Sequence, residues 1–362
     1  MTVKTLRKLI AAFAAFSATV IGVQNFALAE NSGTSAAVVF VYHRIGQADH
    51  AHSNTTTETF IKHLDILKNE GFTVLPLSDV LSAFDRGQAL PDKSVAITLE
   101  GAFKETFDIA IPALNKRDIP YTIFFASDRV DRNSDAYMTW DNLRALARSD
   151  NATFGIIPAD HVSLLSGEID ERRTAINRAM SRVEEQLGTR PAFFSYPYGE
   201  YSEATTELVS NYDFKGAFGQ HSGVASAQSD RMTLPRFSIT ERYASDDRFR
   251  MTARALPLNI VNTLPEDTFL PLGADLEFSF TLPEGYKTDA KNVNCFASEV
   301  GKLDLAALED DRFQARIGAD DLPIGRIRIN CTLPSAIMTP GEEPRWHWHG
   351  LMVTHAEAQE VY

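Results

Sequence analysis

Ala36–Tyr42 (AAVVFVY) is apolar at every position over the length of a strand, and the segment after it changes period. Thr57–Glu70 places Phe60, Leu64 and Leu67 at i, i+4 and i+7 behind a threonine-rich start, the spacing of one buried helix face. The alternation then repeats. Strands are predicted over Phe72–Leu77, Ser94–Leu99, Tyr121–Ala126, Thr153–Ile157, Ala192–Tyr196, Phe214–Phe218 and Leu234–Ile239. Helices are predicted over Ser78–Phe84, Glu105–Lys116, Trp140–Ala147, Glu168–Leu187, Glu203–Asn211 and Asp246–Ala255. Strands without polar alternation are buried on both faces, which a parallel sheet covered by helices provides. About seven such units predict an α/β fold, a (β/α) barrel.

From about Leu256 the pattern becomes short alternating runs separated by turn residues: Leu276–Leu282 (LEFSFTL), Arg312–Ile317 and Arg326–Cys331 (RIRINC). That predicts a small antiparallel β-sandwich. In Arg345–Gly350 (RWHWHG) the same alternation puts Trp346 and Trp348 on one face of a strand and His347 and His349 on the other, with the tryptophans inward and the histidines towards solvent.

The amino terminus does not fit either pattern. Lys4, Arg7 and Lys8 precede an apolar run from Leu9 to Val23, and Ala27–Ala29 (ALA) supplies small residues for cleavage. This is the layout of a secretory signal over 1–29, its apolar run being short of the roughly 20 residues that span a bilayer. The expected organisation is therefore signal 1–29, leader 30–36, barrel 37–256 and sandwich 257–362, with no later membrane span. An exported chain resides in an oxidising compartment, the periplasm or the medium. There Cys295 and Cys331, 36 residues apart, are expected to form one structural disulfide, worth roughly 3–4 kcal/mol.

Among 362 residues, 44% are hydrophobic and 23% charged, enough to bury a large core. The formal net charge is −13, and loss of the signal removes three positive charges and no acidic one. Such a surface argues against nucleic acid and anionic lipid as partners and is compatible with a neutral or cationic substrate.

Function in a β/α barrel sits where the strands end, which singles out His43, Glu100, Ser127, Pro158–His161 and Pro197–Gly199. Here the chain resembles the NodB-homology polysaccharide deacetylases over roughly Val38 to Leu256. Val95–Ala102 (VAITLEGA), with Ile111–Leu114 (IPAL) and Ile119–Phe125 (IPYTIFF) behind it, is similar to that family's first motif and the helix and strand that follow. Tyr42–Ile45 (YHRI), Met138–Leu143 (MTWDNL), Tyr196–Gly199 (YPYG) and Leu234–Arg236 (LPR) are similar to further family landmarks. The resemblance implies a metal-assisted N-deacetylation in which one aspartate and two histidines hold a divalent ion such as zinc and a second aspartate is the base.

This sequence departs from that pattern. The base position of Thr-Phe-Asp-Asp-Gly is Glu100 and the ligand position is Gly101. In Gly155–His161 (GIIPADH) the first histidine position is Ile157, and only His161 remains. One imidazole is far from the three protein ligands of hydrolytic zinc sites, so no metal cofactor is expected, and zinc only if the site is active. Ser195 stands where the family often has arginine, and His221 is the nearest candidate for its late acid histidine. Trp140, Tyr196 and Tyr198 are the candidate aromatic faces for sugar rings. The implied partner is a glycan of the N-acetylglucosamine type, bound without deacetylation. Two alternatives stand beside it: an active deacetylase with a site rebuilt from His43, Glu100 and His161, and a non-catalytic scaffold for an envelope protein partner.

Overall fold

The computed structural model describes residues 35–323, 325–336 and 343–355, so the expected signal and most of the leader lie outside the described residues. Strands β1 (Ala36–Tyr42), β2 (Ser94–Glu100), β3 (Tyr121–Ala126), β4 (Ala152–Ile157), β5 (Phe193–Ser195) and β6 (Gly216–Phe218) pair in that order, every ladder parallel. β7 (Val224–Ser226) pairs antiparallel with the start of β1, and β8 (Phe237–Ile239) pairs parallel with its end. Leu234, just before β8, bridges Phe218 in β6, so this segment touches both ends of the sheet and curls it into a barrel. β1, β2 and β3 are buried at every position, which is why they carry no polar alternation.

The differences from expectation have local causes. The strand expected over Phe72–Leu77 shrinks to Thr73–Val74, because Pro76 is already the cap of helix Leu77–Asp85. The helix expected over Glu105–Lys116 divides into a wide π turn, Thr106–Ala110, and the α-helical Ile111–Asn115, and Pro112 at their junction has no N–H to give. Helices Trp140–Leu146 and Glu203–Ser210 start at capping boxes made by Thr139 with Asn142 and Ser202 with Thr205.

Beyond Leu256 the strands belong to other sheets. β9 (Leu276–Thr281) and β11 (Arg312–Ile317) pair in one; β10 (Asn294–Ala297), β12 (Arg326–Pro334) and β13 (Trp346–His355) pair in the other, in the order β13-β12-β10. Phe278, Phe280 and Phe313 from the first sheet and Ile327, Ile329 and Val353 from the second share one core. Cys295 and Cys331 face each other across β10 and β12 and are bonded, as expected from the sequence.

The barrel and these sheets form one compact unit, and β13 joins them. Trp348 is 6% exposed and belongs to the barrel core, its ring edge-on to Phe237 at 5.2 Å and its Nε1 donating to Asn330 Oδ1 at 3.0 Å. The histidine face is a correction to the solvent-facing expectation. The chain from Leu256 runs beside β13, His347 Nδ1 meets the Pro257 carbonyl at 2.9 Å, and burial lowers the His349 imidazole to about 4. Gly350 lies against the barrel loop after β6, where a Cβ would stand 1.8 Å from the Ser222 carbonyl oxygen. Gly350→Ala is therefore expected to cost about 1–3 kcal/mol, read as a lower urea midpoint. Gly285→Ala, where a Cβ meets nothing within 4 Å, should leave the midpoint close to wild type.

A candidate binding cleft between the barrel mouth and the second sheet

Glu100 ends β2 at the mouth of the barrel and is 3% exposed. Its Oε2 accepts from Ser195 Oγ at 2.7 Å and from Arg236 Nη2 at 2.8 Å, and its Oε1 accepts from Gln220 Nε2 at 3.0 Å. Arg236, fully buried, also donates to the Gly219 carbonyl and to Ser195 Oγ. The Gln220 amide is also 3.1 Å from Nε2 of His43, and that nitrogen lies 3.5 Å from Glu100 Oε1. Burial alone would raise the Glu100 carboxyl. Arg236 beside it, helped by His43 and Ser195, holds it well below the usual carboxylate range.

A carboxylate this acidic, with both oxygens occupied, is a poor proton acceptor at neutral pH. The position after it is equally committed. Gly101 has φ +112°, and a Cβ there would lie 2.3 Å from the Phe103 ring. That ring stacks on Tyr137 at 5.3 Å and carries the Arg44 guanidinium 3.9 Å above its centre. An aromatic and cationic stack thus fills the space into which a side chain at the ligand position would project. Ile157, at the other ligand position, is fully buried in an apolar cluster.

His43, Glu100 and His161 all line the same cleft, yet among the described residues no three His, Cys, Asp or Glu side chains are arranged to hold a metal ion. The donors present do not suit zinc: Glu100 is bonded on both oxygens, and Gly101 and Ile157 offer none. His161, with φ +60°, packs its ring 5.2 Å from Tyr198, and burial lowers it to about 4.

Of the three aromatic candidates, Tyr198 alone lines the cleft; it is half-buried, with the Arg326 guanidinium 5.6 Å from its ring centre. Tyr196 is fully buried between Phe194 and Tyr201 and presents no face to a ligand. Trp140 is not part of the cleft. It packs edge-on to Phe125 under Arg182, and its Nε1 donates to Asp131 at 2.7 Å. Both are corrections: the motif places these residues near the strand ends, but their rings follow the core. His221, 6% exposed, lies in a separate crevice with Trp348 and His349 and has no access to Glu100. Its neighbour Gln220 is the residue of that loop that reaches the carboxylate.

The cleft encloses about 960 Å³, and its far wall comes from the second sheet. β12 alternates strictly, with Ile327, Ile329, Cys331 and Leu333 in the core, so Arg326, Arg328 and Asn330 fall on the opposite face, and that face turns to the cleft. Phe296 on β10, 46% exposed, lines the cleft beside them. The alternating arginines of RIRINC were the available signal for this wall.

Residues 87–217 match the family model described as polysaccharide deacetylase. The poly-beta-1,6-N-acetyl-D-glucosamine N-deacetylase of Escherichia coli is 22% identical over 236 residues, covering 53% of this chain and 34% of that protein, so the chain spans about a third of the length of this relative. The solved structure of the Streptococcus pyogenes deacetylase PplD in complex with acetate covers 60% of this chain and 98% of its own at 21% identity, with a TM-score of 0.56. IcaB from Ammonifex degensii covers 62% and 99% at 22% identity, also with a TM-score of 0.56. The likeness to both structures is one of fold, and it falls on the curled parallel sheet that delivers Glu100. The motifs around Glu100, the polysaccharide deacetylase match over residues 87–217 and the likeness of fold to these two structures all fall on the barrel, which is similar in sequence and fold to the polysaccharide deacetylases.

Proposed function

We propose that the chain is an exported glycan-binding protein built on a deacetylase barrel, holding an N-acetylated saccharide of the N-acetylglucosamine type without the family's metal-dependent hydrolysis. The observation that carries this reading is the state of Glu100: the one carboxylate at the base position is bound on both oxygens and paired with a buried arginine. Gly101 and Ile157 at the neighbouring ligand positions support it. The cleft meanwhile keeps what a saccharide needs, with Tyr198 and Phe296 as apolar faces and Asn330 and Gln220 as amides among the polar edges. The disulfide supports an oxidising compartment, and among the described residues no helix is long and apolar enough to cross a membrane.

The test is acetate release from N-acetylglucosamine oligomers by the purified chain, with zinc, cobalt or nickel added. Glu100→Gln and chelated wild type serve as controls, the second because Glu100→Gln removes the charge that partners Arg236. No metal-dependent release is expected, while the oligomer binds and Tyr198→Ala weakens that binding about tenfold. Release that requires both metal and Glu100 would establish the rebuilt site instead. Absence of any glycan binding, together with capture of an envelope protein insensitive to Tyr198→Ala, would establish the scaffold.

A further inference from the structure

Five arginines line the cleft of a chain whose net charge is −13: Arg44 and Arg129 on the barrel side, Arg248 from helix Asp246–Ala253, and Arg326 and Arg328 from β12. The carboxylates among the lining residues are Asp49 and Glu100, and Glu100 is already neutralised by Arg236. Glu200 stands 3.5 Å from Arg326. No carboxylate of the described residues forms an ion pair with Arg129, Arg248 or Arg328, and Glu105 acts on Arg44 only from beyond contact. The Nε of Arg129 is buried and has no hydrogen-bond partner among the described residues.

Enclosing several guanidinium groups in one cleft with few carboxylates is a cost to the folded chain, and burial carries most of it. Burial first, and then the charge of Arg328, lower the Arg326 guanidinium against the pull of Glu200. Burial, followed more weakly by Arg129, lowers Arg44 against Tyr137 and Glu105. An anion entering the cleft would relieve this repulsion and meet planar forks that accept a carboxylate or phosphate through paired hydrogen bonds. Phe296, exposed on the same wall, offers a face for the adjoining sugar ring.

We propose that the cleft takes an anionic saccharide, one whose rings carry carboxylate or phosphate groups, in preference to a neutral or cationic polymer. This rests on the reading of the cleft as a glycan site and narrows it. A fully deacetylated, cationic glucosamine chain would be repelled by the same five side chains.

The test is calorimetric titration of the full mature chain with three probes: an N-acetylchitohexaose, a hyaluronan hexasaccharide and N-acetylglucosamine 6-phosphate. The first two both contain N-acetylglucosamine, but only the second carries glucuronate. The hyaluronan oligomer is expected to bind about tenfold tighter than the neutral one, with an affinity that falls as salt is raised. Preference for the phosphate probe with no hyaluronan binding would assign the anion as phosphate, and the proposal would stand. Arg328→Gln should abolish the preference and Arg328→Lys restore part of it. Arg248→Gln, on a barrel helix, repeats the test away from β12, and the salt response of the unaltered chain does not depend on any variant folding. Equal or tighter binding of the neutral oligomer, unaffected by salt and by Arg248→Gln, would overturn the charge preference and leave the glycan reading intact. Binding of no probe would overturn both.

Discussion

Arg236→Met is expected to remove about 3–5 kcal/mol of stability, because it strips the partner from a carboxylate buried in the barrel while leaving that carboxylate in place. Arg236 is fully buried and Glu100 is 3% exposed, so water cannot take over the lost interaction. Ser195 Oγ would lose its contact with the guanidinium as well. Against the ordinary 5–15 kcal/mol of a folded protein this is a large fraction. The measurement is the midpoint of urea unfolding for Arg236→Met, Glu100→Gln and the two combined. The double variant should be more stable than Arg236→Met alone, since removing the second charge removes the orphan. A double variant no better than the single one would mean that the pair is not an electrostatic unit.

Acidification is expected to unfold the chain well before its carboxylates are all protonated. Enclosed histidines are responsible: beside His161 and His349, which burial lowers to about 4, stand His63 and His221. His63 is fully buried, stacks on Phe249 at 3.9 Å, and has both nitrogens engaged, with the Tyr42 hydroxyl at 2.9 Å from Nδ1 and the Ala244 carbonyl at 3.0 Å from Nε2. Nε2 therefore donates and Nδ1 accepts, so a second proton would reverse the bond to Tyr42 and take away the acceptor of its buried hydroxyl proton. Burial lowers His63 to about 4; burial, then the charges of His349 and Arg236, lower His221 to about 3.

In the unfolded chain both titrate near 6.5, so the unfolded state gains protons that the folded state refuses as the pH falls from there. Their contribution is complete above that pH and is lost progressively as it drops towards about 4 for His63 and about 3 for His221. On the order of 3–5 kcal/mol is at stake for each. Glu100 acts in the same direction: its folded value is depressed, so its stabilisation is present above the usual 4.5 and fails as pH falls below it. Unfolding free energies at about pH 7.5 and about pH 4.5 give the check, with His63→Gln expected to flatten the slope. Equal stability at the two values would remove both histidines from the account.

The barrel was legible because its central strands obey one rule. SVAITLE and YTIFFA are buried at every position, and a sequence that is apolar without alternation has few other solutions. The carboxylate was legible too, since Glu100 ends the second such strand. Its partners were harder to see. Arg236 stood in a recognised landmark with no role attached, and in the loop after β6 attention goes naturally to His221, whereas the adjacent Gln220 points at Glu100. One residue of offset decided which side chain entered the cleft. Tyr196 and Trp140 show the same limit from the other side: residue type and strand position were right for sugar stacking, but the direction of each ring was set by packing against Tyr201 and Phe125. The arginine wall escaped for a simpler reason. In an alternating strand the polar face reads as solvent, and nothing local records that a barrel stands opposite.

Strand β13 carries a temporal implication. It follows every other described strand in the chain, yet it flanks β12 along its whole length and seats Trp348 in the barrel core. During synthesis the barrel sheet is complete by Ile239, while the arginine wall is held on one side alone, by β10, until Trp346–His355 has emerged. A nascent chain therefore carries a complete barrel sheet whose core still lacks Trp348 and whose cleft has a half-supported far wall, so the cleft is the last feature the molecule completes.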